Sequence, residues 1–180
     1  IIEHRGEIHF GACSASLCTV RNTIPSPTIL PIGHSAHDTY QMLMNEGVLL
    51  EDKGCAMGVR AEHPQALIDS IQYHCRERNP YLPAASYGLV HQVDGRGVYS
   101  FCMCPGGHIV PSATEEKQIV VNGMSASHRN SPFANSGIVV ELRPEDLTEY
   151  AQYGELCGLR FQEDLERLAF NNNGGGLQTA

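Results

Sequence analysis

Residues 87–107, Tyr87-Gly88-Leu89-Val90-His91-Gln92-Val93-Asp94-Gly95-Arg96-Gly97-Val98-Tyr99-Ser100-Phe101-Cys102-Met103-Cys104-Pro105-Gly106-Gly107, decide the fold. Two strand-like runs, Tyr87 to Val93 and Gly97 to Met103, flank Asp94-Gly95, a dipeptide suited to a tight antiparallel hairpin. Along the second run Val98, Ser100 and Cys102 alternate with Tyr99, Phe101 and Met103, so one face is aromatic and apolar. The run ends in a turn of two cysteines, a proline and two glycines. Glycine has no Cβ to block a close approach and tolerates positive φ, which is expected at Gly106 or Gly107.

Outward from this hairpin, further strands are expected at Glu7 to Ala12, Thr28 to Ile32, Cys55 to Ala61, Gln118 to Asn122 and Gly137 to Leu142. A helix is expected from Ser35-Ala36-His37-Asp38, with Ser35 as the cap, to about Asn45. Its stripe is Tyr40, Leu43 and Met44, and Gly47 ends it. Pro64 opens a second helix running to about Cys75, with Leu67, Ile68 and Ile71 on its buried face. Two more helices, Pro144 to Tyr153 and Leu159 to Phe170, close the chain, the second aligning Phe161, Leu165, Leu168 and Ala169. Strands grouped between helices with short connections make the class α+β, with a mostly antiparallel, partly barrel-like sheet flanked by helices.

The chain has 180 residues, 42% hydrophobic and 18% charged, which are globular values. Its net charge is −8 with 12 basic residues, and no three of these cluster, so nucleic acid is excluded as a partner. No apolar run approaches membrane-spanning length, so a membrane partner is excluded too. Seven irregularly spaced cysteines do not form a secreted disulfide framework; reduced thiols in a cytoplasmic protein are expected.

The chemistry-bearing residues gather in four places. On a regular strand Cys102 and Cys104 share a face. With His108 they fall short of a zinc ligand set, so no metal is expected, and a same-face pair is poorly oriented for a disulfide. The favoured reading is a rigid turn in a ligand-facing wall. Arg60 and Glu62 point the same way and suit an ion pair, or Arg60 a carboxylate substrate; His63 suits a cap or an acid–base role. Asn122, Ser125, Ser127, Arg129 and Asn135 form a polar cluster of turn residues, of which Arg129 and Asn135 are candidates for lining a cleft. Gly33-His34-Ser35, at a helix start, suits an anionic group.

These passages also carry a resemblance. Gly33-His34-Ser35-Ala36-His37-Asp38-Thr39 is similar to a GHSARDT segment, with His37 where arginine is usual. Gly58 to Gln65 is similar to GVRxEHPQ, Tyr99 to Gly107 to YSFCMCPGG, Asn122 to Arg129 with Ala134-Asn135-Ser136 to NGMSxxxR…ANS, and Phe161 to Phe170 to FQxxLExxAF. The chain thus resembles the FAD-dependent, NAD(FAD)-utilizing dehydrogenases over roughly Gly6 to Gly176. The family's G-x-G-x-x-G turn is absent, so the chain reads as an excised middle piece. The resemblance implies three parts: residues 1–50 from the FAD-binding domain, 55–170 as an inserted substrate-side domain, and a tail at 171–180. It implies FAD in the parent protein, possible use of NAD(P)H, and no cofactor bound to this piece alone. The partners it implies are a small-molecule substrate and the missing flavin-binding domain. Cys102, Cys104, Gly106, Gly107, Asn122, Arg129, Asn135, Arg60 and His63 would face substrate or flavin, and Gly33, His34 and Ser35 would bind cofactor. The alternatives are a protein-interaction module without catalysis and a Cys/His metal-binding protein.

Overall fold

A computed structural model describes residues 3–4, 7–9, 18–21, 32–33, 35–112, 115–172 and 174–175. The chain divides into two compact units, Ile1–Ala56 with Leu142–Leu168, and Met57–Glu141 with Ala169–Ala180.

In the first unit, strands β1 (Glu3–His4), β2 (Glu7–His9), β3 (Cys18–Arg21) and β4 (Leu49–Asp52) form an antiparallel sheet in chain order. The strand expected at Thr28 to Ile32 lies outside the described residues except for Ile32, which is not in a strand. Helix α1 (His37–Asn45) starts from Ala36 without a side-chain cap, so Ser35 is not the N-cap. Gly47 terminates it at φ 73°. The expected stripe forms, with Leu43 packing against Leu50, Leu156 and Leu159, and Tyr40 and Met44 lying beside them.

The expected helix at Pro144 to Tyr153 is a 3-10 run, Pro144–Leu156, broken at Leu147 and Gly154. Asp146 ties its start by accepting from the Arg143 amide at 2.9 Å. Helix α3 (Cys157–Asn172) follows. It buries Leu159, Gln162, Glu163 and Glu166 and exposes Leu168. His37, where the resembling sequences carry arginine, is buried with Nδ1 3.3 Å from Glu163 Oε1, a contact an arginine would also serve.

The second unit is built on β5 (Cys55–Pro64), helix α2 (Gln65–Tyr73), β6 (Val90–Val93), β7 (Arg96–Cys104), β8 (Gly107–Ser112), β9 (Val120–Ser125) and β10 (Phe133–Leu142). One sheet has the order β5-β10-β7-β6; β8 and β9 pair separately as an antiparallel ribbon. The class is α+β with antiparallel pairing, as the alternation implies. The barrel-like closure is not found: four strands leave β5 and β6 as open edges, and closure needs a continuous staggered ring. The β6–β7 hairpin turns at Asp94 (φ 49°) and Gly95 (φ 74°), both left-handed, as a type I′ turn demands.

Helix α2 is rotated from its expected face. Ile68 is buried, yet Leu67 is 50% and Ile71 55% exposed. Gln65 and Asp69 take the inner positions one helical turn apart, because their hydrogen bonds are needed there. Pro64 precedes the helix rather than opening it, and ends β5.

Candidate functional site

The β7–β10 pairing sets the site. Asn135 lies opposite Cys104 and Gly137 opposite Phe101, so Cys102 and Met103 face Ser136 alone. This is a β-bulge, with its first residue, Cys102, in the left-handed region at φ 47°. A non-glycine residue there is strained, and such strain concentrates at functional places. The bulge breaks the strand's alternation. Cys102 is exposed, whereas Cys104 is half-buried and turned inward.

Arg60, on β5, reaches this point. Its Nη1 donates to Asn135 Oδ1 at 2.7 Å and to Cys102 O at 3.0 Å, and lies 3.9 Å from Cys104 Sγ. Gly123, on β9, closes the cluster: a Cβ there would collide with Arg60 Nη1 and Asn135 Oδ1, and would come 2.7 Å from Cys104 Sγ. Asn135 is wholly buried, inside β10 rather than in a loop. With Oδ1 engaged by Arg60, its Nδ2 has no hydrogen-bond partner among the described residues. Arg60 and Glu62 do not pair, for Glu62 accepts instead from the Ile109 amide at 3.1 Å.

The turn after Cys104 is fixed by a buried network. Gln65 Oε1 accepts from the Gly106 amide at 2.7 Å, and its Nε2 donates to Asp69 Oδ1 and to Ala85 O. Asp69 also accepts from the Ala85 amide and from Arg78 Nε, each near 2.9 Å. A carboxylate and an amide buried together with their partners satisfied form a rigid frame. Gly106 takes φ 56°, and a Cβ there would strike the backbone carbonyl of Arg129. Gly107 packs equally closely on Met124 and Ser125, and Ser125 Oγ donates to Pro105 O at 2.9 Å. The close approach both glycines permit is that of the chain to itself. Arg129, itself left-handed at φ 47°, seats its backbone on Gly106, and its exposed guanidinium has no partner among the described residues.

The structure therefore brings together Arg60, Cys102, Cys104, Asn135, Gly106, Gly107 and the backbone of Arg129. Asn122 is exposed on β9 opposite Val110. His63 lies with its ring 5.5 Å from Tyr87 and its buried Nε2 without a partner among the described residues; burial pushes its protonation below the usual value, with Glu62 opposing. Gln65, Asp69 and Gly123 were not among the sequence-derived candidates. Their only signal is a polar pair at i and i+4 directly after Pro64, and a glycine inside the Asn122-Gly123-Met124-Ser125 motif.

Of the presumed cofactor residues, Gly33 is exposed, Ser35 half-buried, and His34 lies outside the described residues. An anion at a helix start needs free amides and no competing charge. At α1 the carboxylate of Asp38 stands in the first turn and accepts from the Thr39 amide at 2.8 Å. At Gly106 and Gly107 the space is filled by the chain itself. Among the described residues no His, Cys, Asp and Glu group of three could hold a metal ion, and no helix is long and apolar enough to cross a membrane.

The family described as FAD-dependent protein, C-terminal domain-like, matches residues 54–180. The chain belongs to this family. It is thus a domain of a flavin-dependent protein family, and FAD is the cofactor that the family's description names. A protein of Clostridium beijerinckii named only as uncharacterized is 46% identical over 160 residues, 88% of this chain. The chain spans 30% of that relative's length.

Proposed function

We propose that the chain is the substrate-side domain of a flavin-dependent oxidoreductase of the dehydrogenase type, with residues 55–170 orienting a small molecule against FAD held elsewhere in the full-length protein. The observation that supports this most is Arg129. Its backbone is seated on Gly106 of a turn fixed by Gln65, while its guanidinium stands exposed without a partner among the described residues. A cation presented from a rigid wall serves to hold an anionic substrate or the charge of reduced flavin; the flavin supplies hydride chemistry and the polypeptide orients. A nicotinamide nucleotide is the first electron donor to try.

The test uses a full-length protein carrying this domain, comparing R129A with the parent in stopped-flow flavin reduction by NADH or NADPH and reoxidation by small acceptors. The expected result is unchanged FAD content with at least one half-reaction slowed about tenfold or more, one charge contact's worth. Equal rates in both halves would overturn the assignment of Arg129. The interaction-module reading predicts that equality.

A further inference from the structure

We propose that Cys102 and Cys104 form a thiol pair that exchanges with small organic disulfides, Cys102 as the attacking thiol and Cys104 as the resolving one. The inference stands apart from the flavin-side role and concerns this chain's own chemistry. A regular strand would set the two side chains parallel and unsuited to bridging. The bulge removes that objection, because it bends the strand between them. The left-handed Cys102 lies exposed, open to a disulfide from solution. The Cys104 thiol turns back toward Cys102, donating to its carbonyl oxygen at 3.4 Å. Cα atoms two residues apart span at most about 7 Å, and a bent segment brings them within the roughly 4.4–6.8 Å of disulfides.

The surroundings of Cys104 supply the second observation. Its sulfur lies 3.9 Å from Arg60 Nη1, beside the side chain of the wholly buried Asn135. A sulfur carrying negative charge during exchange therefore has the Arg60 guanidinium beside it. Reactive thiols occupy electropositive, partly exposed settings of this kind.

The steps balance. The Cys102 thiolate attacks one sulfur of R–S–S–R, forming Cys102–S–S–R and expelling RS⁻, which takes up the proton Cys102 lost. The Cys104 thiolate then attacks the Cys102 sulfur, forming the Cys102–Cys104 disulfide and expelling a second RS⁻, protonated likewise. Two electrons pass from the dithiol to the small disulfide, and two thiols leave.

The experiment treats the reduced 180-residue chain with hydroxyethyl disulfide, counts released mercaptoethanol, and maps the products by mass spectrometry. The expected result is a fast phase releasing two thiols per chain, with one peptide two mass units lighter that holds Cys102 and Cys104. C104S should release one thiol in that phase and keep an adduct on Cys102; C102S should lose the phase. Far-UV circular dichroism checks that each variant folds, and the unaltered chain alone already decides the outcome. A wild-type chain that stops at a stable mixed disulfide, bridges other cysteines, or reacts at Cys102 no faster than at the remaining thiols overturns the proposal.

Discussion

Two pairs of cysteines in this chain meet opposite neighbours. In the first unit, Cys157 Sγ donates to Asp52 Oδ2 at 3.2 Å, and burial first, then that bond and charge, push its thiol up to about 11. Cys55 is likewise pushed up to about 11, by burial and then by the charge of Asp52. In the second unit, Cys104 has a guanidinium beside it and Cys102 lies open to solvent. Burial, and after it a carboxylate, holds the first pair as thiols, whereas in the second pair Cys104 lies beside a cation. Residue type says little about a cysteine; the sign of the nearest charge and the access to the sulfur determine what it can do.

The comparison breaks most severely if the Arg60 cluster is dismantled, and Gly123 is the place to do it. A methyl group there has no room beside Arg60 Nη1, Asn135 Oδ1 and Cys104 Sγ. Gly123→Ala is expected to lower stability by about 3 kcal/mol, the upper end for overpacking, since a neighbour in β7 or β10 must shift. Urea denaturation measures it. A change below about 0.5 kcal/mol would mean that Arg60 and Asn135 can move aside, and that the cluster around Cys104 is not held in place.

An intermediate effect is expected on the alkaline side, where the Asp52 pair titrates. For both thiols the folded value, about 11, lies above the ordinary 9.0. The stability they contribute is present in full below pH 9 and is lost as pH rises toward and through 11. Thermal melting between pH 8 and 11 should therefore fall, and C55S with C157S, which cannot ionise in this range, should flatten the fall. Identical slopes for the two proteins would show that folding does not raise these thiols, and the contrast with Arg60 would lose one side.

The two sides were unequally legible in sequence. The hairpin was readable because Asp94-Gly95 is chemically specific: both positions need positive φ, and few dipeptides accept it. The positive φ at Gly106 was readable for the same reason. The Leu43 stripe emerged because α1 buries an apolar face. Helix α2 misled because two of its hydrophobic residues are the exposed ones, and a polar pair, Gln65 and Asp69, took the core positions to fix a turn more than thirty residues away. Nothing local announces a partner at that separation. The bulge at Cys102 was hidden for a related reason: register belongs to the pairing of β7 with β10, and Asn135, with a residue type typical of loops, is a buried strand residue only because Arg60 satisfies its oxygen. The 3-10 run at Pro144 differs from an α-helix in its tighter winding and its breaks at Leu147 and Gly154, which composition reports weakly.

The smallest effect is expected at His63, and it sharpens the comparison from the acid side. Its protonation is pushed below the ordinary 6.5, first by burial and against the pull of Glu62. The neutral ring is therefore the form that folding favours. Its contribution is present above pH 6.5 and is lost as pH falls through the lowered value, because the folded state binds the proton less readily than the unfolded one. The ring is only half-buried, so water screens much of the cost, and the loss should be modest beside that of Gly123→Ala. Melting temperatures from pH 7.5 to 5 should decline more for the native chain than for H63F, which keeps a ring against Tyr87 and cannot charge. The decisive measurement is the imidazole titration followed by NMR. A midpoint at or above 6.5 would mean that Glu62 outweighs burial, setting His63 apart from Cys55 and Cys157, where burial leads.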